Sequence, residues 1–149
     1  LVRRVGRGRT FLYMLNIEHA LFTRLLRPLL EGERGVFGEI IKSIEKAVEP
    51  HCLSATIFGS VARESEGPAS DLDLLVVLRQ GQRRGRVSSV LSDLASRLLR
   101  TWGIRLNPIT FTAAQVRRQL REGNPLFTAA VRDGIPLAGC HLREVERGT

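Results

Sequence analysis

Residues 58–77 read Phe-Gly-Ser-Val-Ala-Arg-Glu-Ser-Glu-Gly-Pro-Ala-Ser-Asp-Leu-Asp-Leu-Leu-Val-Val. An apolar run, Leu53 to Phe58, leads into Gly59-Ser60; ten residues later Asp71-Leu72-Asp73 opens a second apolar run. The first run carries Thr56, Ile57 and Phe58, the β-branched and aromatic types that favour strands. Gly59 lacks a Cβ, so the chain can turn sharply there or let another group approach its backbone. Ser60 is suited to cap a helix starting at Val61. A turn leading into a helix N-terminus favours anions, and phosphate groups in particular. Alternate strand side chains share a face, so Asp71 and Asp73 point one way while Leu72 and Leu74 point into the core.

Two carboxylates on one face repel unless a cation or a basic group lies between them. Mg²⁺ suits such a pair, because it takes one or two carboxylates and completes its shell with phosphate oxygens and water. Either half of the motif alone would describe many solvated turns. Joined, with an apolar strand on each flank, the halves set a phosphate-sized turn beside an acidic pair on one sheet edge.

The pattern Gly-Ser-x10-Asp-x-Asp, set as Ile-Phe-Gly-Ser-Val-Ala-Arg and Ser-Asp-Leu-Asp-Leu-Leu-Val-Val, resembles the minimal nucleotidyltransferases of the DNA polymerase β superfamily. The resemblance extends from about Glu33 to Leu142. It implies an α/β fold of the polymerase β-like nucleotidyltransferase type, with a small mixed sheet packed with helices. It implies transfer of a nucleoside monophosphate from a nucleoside triphosphate to a hydroxyl acceptor, with Mg²⁺, two ions in many relatives, as cofactor. Residue by residue, it assigns phosphate binding to Gly59 and Ser60, and catalytic and metal-binding roles to Asp71 and Asp73. Arg63 sits where many relatives have an Arg that helps neutralise the triphosphate; an exposed helix Arg would look the same.

The family carries a third carboxylate on the next strand, and this sequence departs from that pattern. The strand expected over Gly103-Ile-Arg-Leu-Asn-Pro-Ile-Thr-Phe111 contains no Asp or Glu. Arg105 and Asn107 are its nearest polar residues, and spacing does not choose between them. The third acid is the family's general base, an assistance commonly worth about 10²–10⁴ in rate. Weak transfer is therefore expected. The alternative is a catalytically inactive nucleotide-binding or dimerisation module of a DNA-binding regulator or antitoxin. Asp93, Glu122 and Asp133 are acids elsewhere in the chain, but nothing in their spacing aims them at the site.

The rest of the chain supplies a scaffold. Glu31 to Glu49 carries Val36, Phe37, Ile40, Ile41, Ile44 and Val48, the stripe of an amphipathic helix stopped by Pro50. Arg86 to Trp102 repeats the pattern with Val87, Val90, Leu91, Leu94, Leu98 and Leu99. Thr112 is placed to cap a helix bearing Val116 and Leu120, which Gly123 and Pro125 end. A short helix over Leu126 to Arg132 and a last strand at Ile135 to Leu137 complete a small α/β domain. Ahead of it, Leu1 to Asn16 holds Arg3, Arg4, Arg7 and Arg9 around Gly6 and Gly8, a basic hairpin whose second strand is Thr10 to Leu15. The run Gly-Arg-Thr-Phe-Leu-Tyr-Met-Leu-Asn resembles the wing of a winged-helix domain, so a DNA contact through this segment is one expectation. The division expected is 1–17 hairpin, 18–142 nucleotidyltransferase domain and 143–149 tail.

Lys and Arg number 23 against 15 Asp and Glu, a net charge of +8, and all of the basic residues except Lys42 and Lys46 are Arg. Arg favours planar, bidentate contact with phosphate. The clusters at Arg3–Arg9, Arg83–Arg86 and Arg117–Arg121 could follow a nucleic-acid backbone or surround an anionic ligand. Aromatic residues are too few for a single-strand stacking platform. His51-Cys52 and Cys140-His141 lack the spacing of a zinc site, and two lone thiols suit a reducing cytoplasm. No run approaches the roughly 18 apolar residues of a membrane span. The partners expected are a nucleoside triphosphate, a protein acceptor or toxin-like helical partner as the resemblance implies, and a second copy of the chain as a homodimer.

Overall fold

The computed structural model describes residues 1–5, 12–59 and 71–147, with backbone alone for 33 and 34. Ser60 and Arg63, two of the expected phosphate-binding residues, and the start of the helix expected at Val61 lie outside the described residues, as do Arg7 and Arg9. The chain divides into two compact units, Leu1–Ile40 and Ile41–Thr149. The boundary expected from the sequence lies earlier, at residue 17.

In the first unit, β1 (Val2–Val5) pairs antiparallel with β2 (Leu12–Leu15), with Val2 opposite Leu15 and Arg3 opposite Met14. Arg3 pins the hairpin to the chain that follows it: Nη2 donates to Asn16 Oδ1 at 2.7 Å and to Glu18 Oε2 at 3.2 Å. The helix expected from Glu31 begins earlier than that, in a continuous helical path. A π-helical stretch, Phe22–Leu26, runs directly into α1 (Arg27–Val48). The reason is Pro28, which has no N–H to donate and whose ring crowds the preceding turn. The wider π turn, closed by Arg27 N–H to Phe22 O, lets the helix pass the proline without breaking.

The second unit is built on a four-stranded sheet in the order β5-β4-β3-β6. The strands are β3 (Cys52–Phe58), β4 (Leu72–Leu78), β5 (Leu106–Thr112) and β6 (Ile135–Gly139). β3 runs antiparallel to β4 and β6, and β4 parallel to β5 through the crossover helix α2 (Arg84–Trp102). The sheet is therefore mixed, as expected. β3 and β4 are central and read as near-continuous apolar runs because both faces are covered. One face sets Phe58, Leu75 and Val77 against α3 (Ala113–Arg121), α4 (Pro125–Asp133) and α5 (Leu142–Arg147), through Val116, Phe127, Ala130, Leu142 and Val145. On the opposite face Ala55, Ile57, Leu74 and Val76 are buried, and α2 buries Val87, Leu91, Leu94 and Leu98. Each such leucine contributes about 1.5–3 kcal/mol on burial.

The segment expected as a tail from residue 143 is, as far as Arg147, the helix α5. Its Val145 is buried in the core. The sequence gives little sign of it, because a helix this short shows only Leu142 and Val145 as its apolar stripe.

Thr112 caps α3 as expected. Its hydroxyl accepts from Gln115 N at 3.2 Å, and Gln115 Oε1 accepts from Thr112 N at 2.9 Å, a reciprocal capping box. Thr112→Ala should lower stability by about 1 kcal/mol. A urea denaturation curve would show this as a lower midpoint with an unchanged slope.

Candidate active site

The site sits where β3 ends and β4 begins. Gly59 follows β3 with φ +84°, the left-handed region that favours glycine. A Cβ built on Gly59 would lie 2.6 Å from Asp73 Oδ2. The turn therefore lies directly against the carboxylate, and only a residue without a side chain permits that approach. In the β3–β4 register Asp73 stands opposite Phe58, which brings the Gly59 turn beside the acidic pair. Asp71 lies one residue before β4 and is exposed; Asp73, inside the strand, is half-buried. The period of two places both on the face shared with Leu75 and Val77.

Of Arg105 and Asn107, strand register brings Asn107 to the acidic pair. β4 and β5 pair so that Asp73 stands beside Asn107 and Leu72 beside Leu106. Asn107 Nδ2 donates to Asp73 Oδ1 at 3.2 Å. Arg105 precedes β5, where its carbonyl accepts from Leu72 N at 2.8 Å. An amide thus stands next to the acidic pair. Among the described residues, no group of three or more His, Cys, Asp or Glu is arranged to hold a metal ion. Glu122 lies near Arg118, at 3.8 Å, and accepts from Gln119, while Asp133 accepts two hydrogen bonds from Arg132 at 2.7 and 2.8 Å. Asp93 lies on α2 and is exposed.

Asp71 and Asp73 are carboxylates that could hold a hard divalent ion such as Mg²⁺, the rest of whose shell would come from phosphate and water. Gly59 itself adds no side-chain bulk beside Asp73. Among the described residues, no third acid joins Asp71 and Asp73 at this rim.

The basic clusters are partly committed to the fold. Arg84 Nε donates to Thr110 Oγ1 at 3.1 Å and Arg84 Nη2 to Thr110 O at 2.7 Å, tying the start of α2 to β5. Arg117 Nη1 donates to Val145 O at 3.4 Å. His51 Nδ1 meets Gln82 Oε1 at 3.2 Å, and His141 Nδ1 accepts from Arg143 N at 3.2 Å. Burial pushes the thiols of Cys52 and Cys140 above the ordinary cysteine range, which keeps them protonated and poorly nucleophilic.

The sequence model of the nucleotidyltransferase domain matches residues 39–125, more than half of the chain, including Gly59, Asp71, Asp73 and Asn107. The chain belongs to the nucleotidyltransferase domain family. Its fold is a small mixed sheet packed with helices, and its activity class is that of a transferase using a nucleoside triphosphate. Two solved structures are similar. One, a toxin–antitoxin pair with AMP-PNP, is 15% identical with a TM-score of 0.47, over 72% of this chain and 81% of that one. The other, a mutant of the toxin–antitoxin pair MntA–HpeT, is 14% identical with a TM-score of 0.46, over 74% and 80%. No curated protein matches the sequence. Among the described residues, no helix of this nucleotidyltransferase is long and apolar enough to cross a membrane.

Proposed function

We propose that this nucleotidyltransferase binds a nucleoside triphosphate with Mg²⁺ at Gly59, Asp71 and Asp73, and transfers the nucleoside monophosphate slowly to a hydroxyl carried by a separate partner. The observation that carries the reading is the contact between the Gly59 turn and Asp73, where a Cβ would lie 2.6 Å from Oδ2. A phosphate-binding turn pressed against an acidic strand rim serves a ligand that is anionic and metal-bound at once. Mg²⁺, when bound, supplies electrostatic stabilisation of the phosphates.

In the reaction, the acceptor oxygen bonds to the α-phosphorus, the bond from that phosphorus to the bridging oxygen breaks, and pyrophosphate leaves. The hydroxyl proton passes to solvent water. Without an acid at Asn107, that proton has no positioned acceptor among the described residues, which costs about 10²–10⁴ in rate. The acceptor hydroxyl would come from another molecule. The motif resemblance points to a helical, toxin-like protein.

The test is calorimetric titration of ATP, CTP, GTP and UTP with Mg²⁺ into the folded protein, with and without EDTA. At least one triphosphate should bind, and chelation should remove the binding. No binding of any triphosphate would sink the reading. Asn107 favours a second reading, nucleotide binding without transfer by a module that serves a regulator. The two separate on α-³²P-labelled nucleotide, which under the second reading stays exchangeable and releases no pyrophosphate.

A further inference from the structure

Asn107 does more than remove a base. Its Nδ2–H is directed at Asp73 Oδ1, and Asp73 Oδ2 faces the Gly59 backbone. The two carboxylate oxygens are therefore already differentiated: one is held by a neutral donor, the other lies on the side of the phosphate turn.

A pair of divalent ions about 3.5–4 Å apart is held by oxygens that bridge or flank both ions. At such a site Asp73 would have to give an oxygen to each ion, and the third strand would have to supply anionic charge against the second. Here Asn107 on β5 presents an N–H to one of the two Asp73 oxygens, on the side where that anionic charge would be needed. A donated hydrogen bond occupies the acceptor lone pairs and carries the positive end of a dipole, so it competes with a cation and does not assist one. The side chain at 107 is also uncharged, which removes one of the charges that would offset mutual repulsion between two dications.

We infer that this chain is a one-ion site: a single divalent cation enters with the nucleotide, and the Asn107 amide takes the place of the second. The inference rests on the nucleotide-binding reading above. The amide keeps Asp73 oriented before any ligand arrives, because its hydrogen bond does part of what the second ion would do. It also commits the site to holding nucleotide without activating the acceptor hydroxyl through an ion on that side.

The experiment counts ions and does not depend on activity. Mn²⁺ is titrated into the full chain with a saturating α,β-methylene triphosphate of the base preferred in calorimetry, and free Mn²⁺ is read by electron paramagnetic resonance. Wild type should bind one Mn²⁺ per protein–nucleotide complex. Asn107→Asp should bind two, with a dipolar interaction between them. Asn107→Ala, which removes the donor without adding charge, should stay at one. Two ions in wild type, or one in Asn107→Asp shown folded by its thermal melt, overturns the inference while leaving nucleotide binding intact. No Mn²⁺–nucleotide complex with any variant overturns both together.

Discussion

Replacing Asp71 and Asp73 together by Asn is expected to abolish metal-dependent nucleotide binding while leaving the protein folded. The carboxylates are the only acids that the described residues bring to the Gly59 turn. A hard cation gains most of its affinity from anionic oxygens, and an amide offers a neutral oxygen and a competing N–H. Losing both charges should weaken binding by at least about 100-fold, or about 2.7 kcal/mol. Folding should hardly respond. Asp71 is exposed and Asp73 only half-buried, and the amide that replaces Asp73 still has an oxygen to accept from Asn107. Removing two like charges from one rim also relieves repulsion. The melting temperature should therefore remain within a few degrees of wild type, since such surface changes are usually worth about ±0.5 kcal/mol. Calorimetry with the best-binding triphosphate, beside a thermal melt, reads both quantities. Undiminished binding by the double variant would place the triphosphate elsewhere on the molecule.

The acidic pair and the glycine turn were legible because their chemistry is local. Strand periodicity puts Asp71 and Asp73 on one face whatever the rest of the chain does, and the long apolar runs mark β3 and β4 as central strands. Features that depend on how segments meet were not legible. The choice between Arg105 and Asn107 turns on the parallel register of β4 with β5, which no spacing within β5 encodes. The continuity of the helix through Pro28 depends on a π turn that costs hydrogen-bond geometry and leaves no residue signature of its own. α5 stayed hidden because Leu142 and Val145 become a core face only once the sheet is there to receive them.

Charge was the least transferable signal. Counting Arg residues suggested three patches available to phosphate. In the folded chain Arg84 of the second patch instead satisfies Thr110 and Arg117 of the third reaches Val145 O, while Arg79, outside the patches, donates its Nε–H to Cys52 O at 3.3 Å. Arg is well suited to such work because its planar fork reaches backbone carbonyls while its stem lies along apolar surface. Part of the +8 surplus therefore belongs to the architecture, and the full surplus overstates what is available to a polyanionic partner.

Gly59→Ala should damage both folding and binding, and a second glycine shows why the two effects separate. Gly59 and Gly103, which ends α2, both have positive φ, +84° and +68°. An alanine at either position pays backbone strain of about 1–2 kcal/mol. At Gly103 the new methyl meets nothing within 4 Å, so strain is the whole effect and nucleotide affinity should stay at the wild-type value. At Gly59 the methyl would lie 2.6 Å from Asp73 Oδ2, closer than real side-chain carbons come. Either Asp73 rotates away and breaks its bond to Asn107, or the turn lifts off the strand. Each relaxation moves a phosphate-binding backbone away from a metal-binding carboxylate. Gly59→Ala should therefore lose about 1–3 kcal/mol of stability and bind nucleotide at least about tenfold more weakly, or about 1.4 kcal/mol. Urea denaturation and calorimetry on the two variants separate strain from approach. Equal affinities in both would mean that the contact between the turn and Asp73 plays no part in holding the ligand.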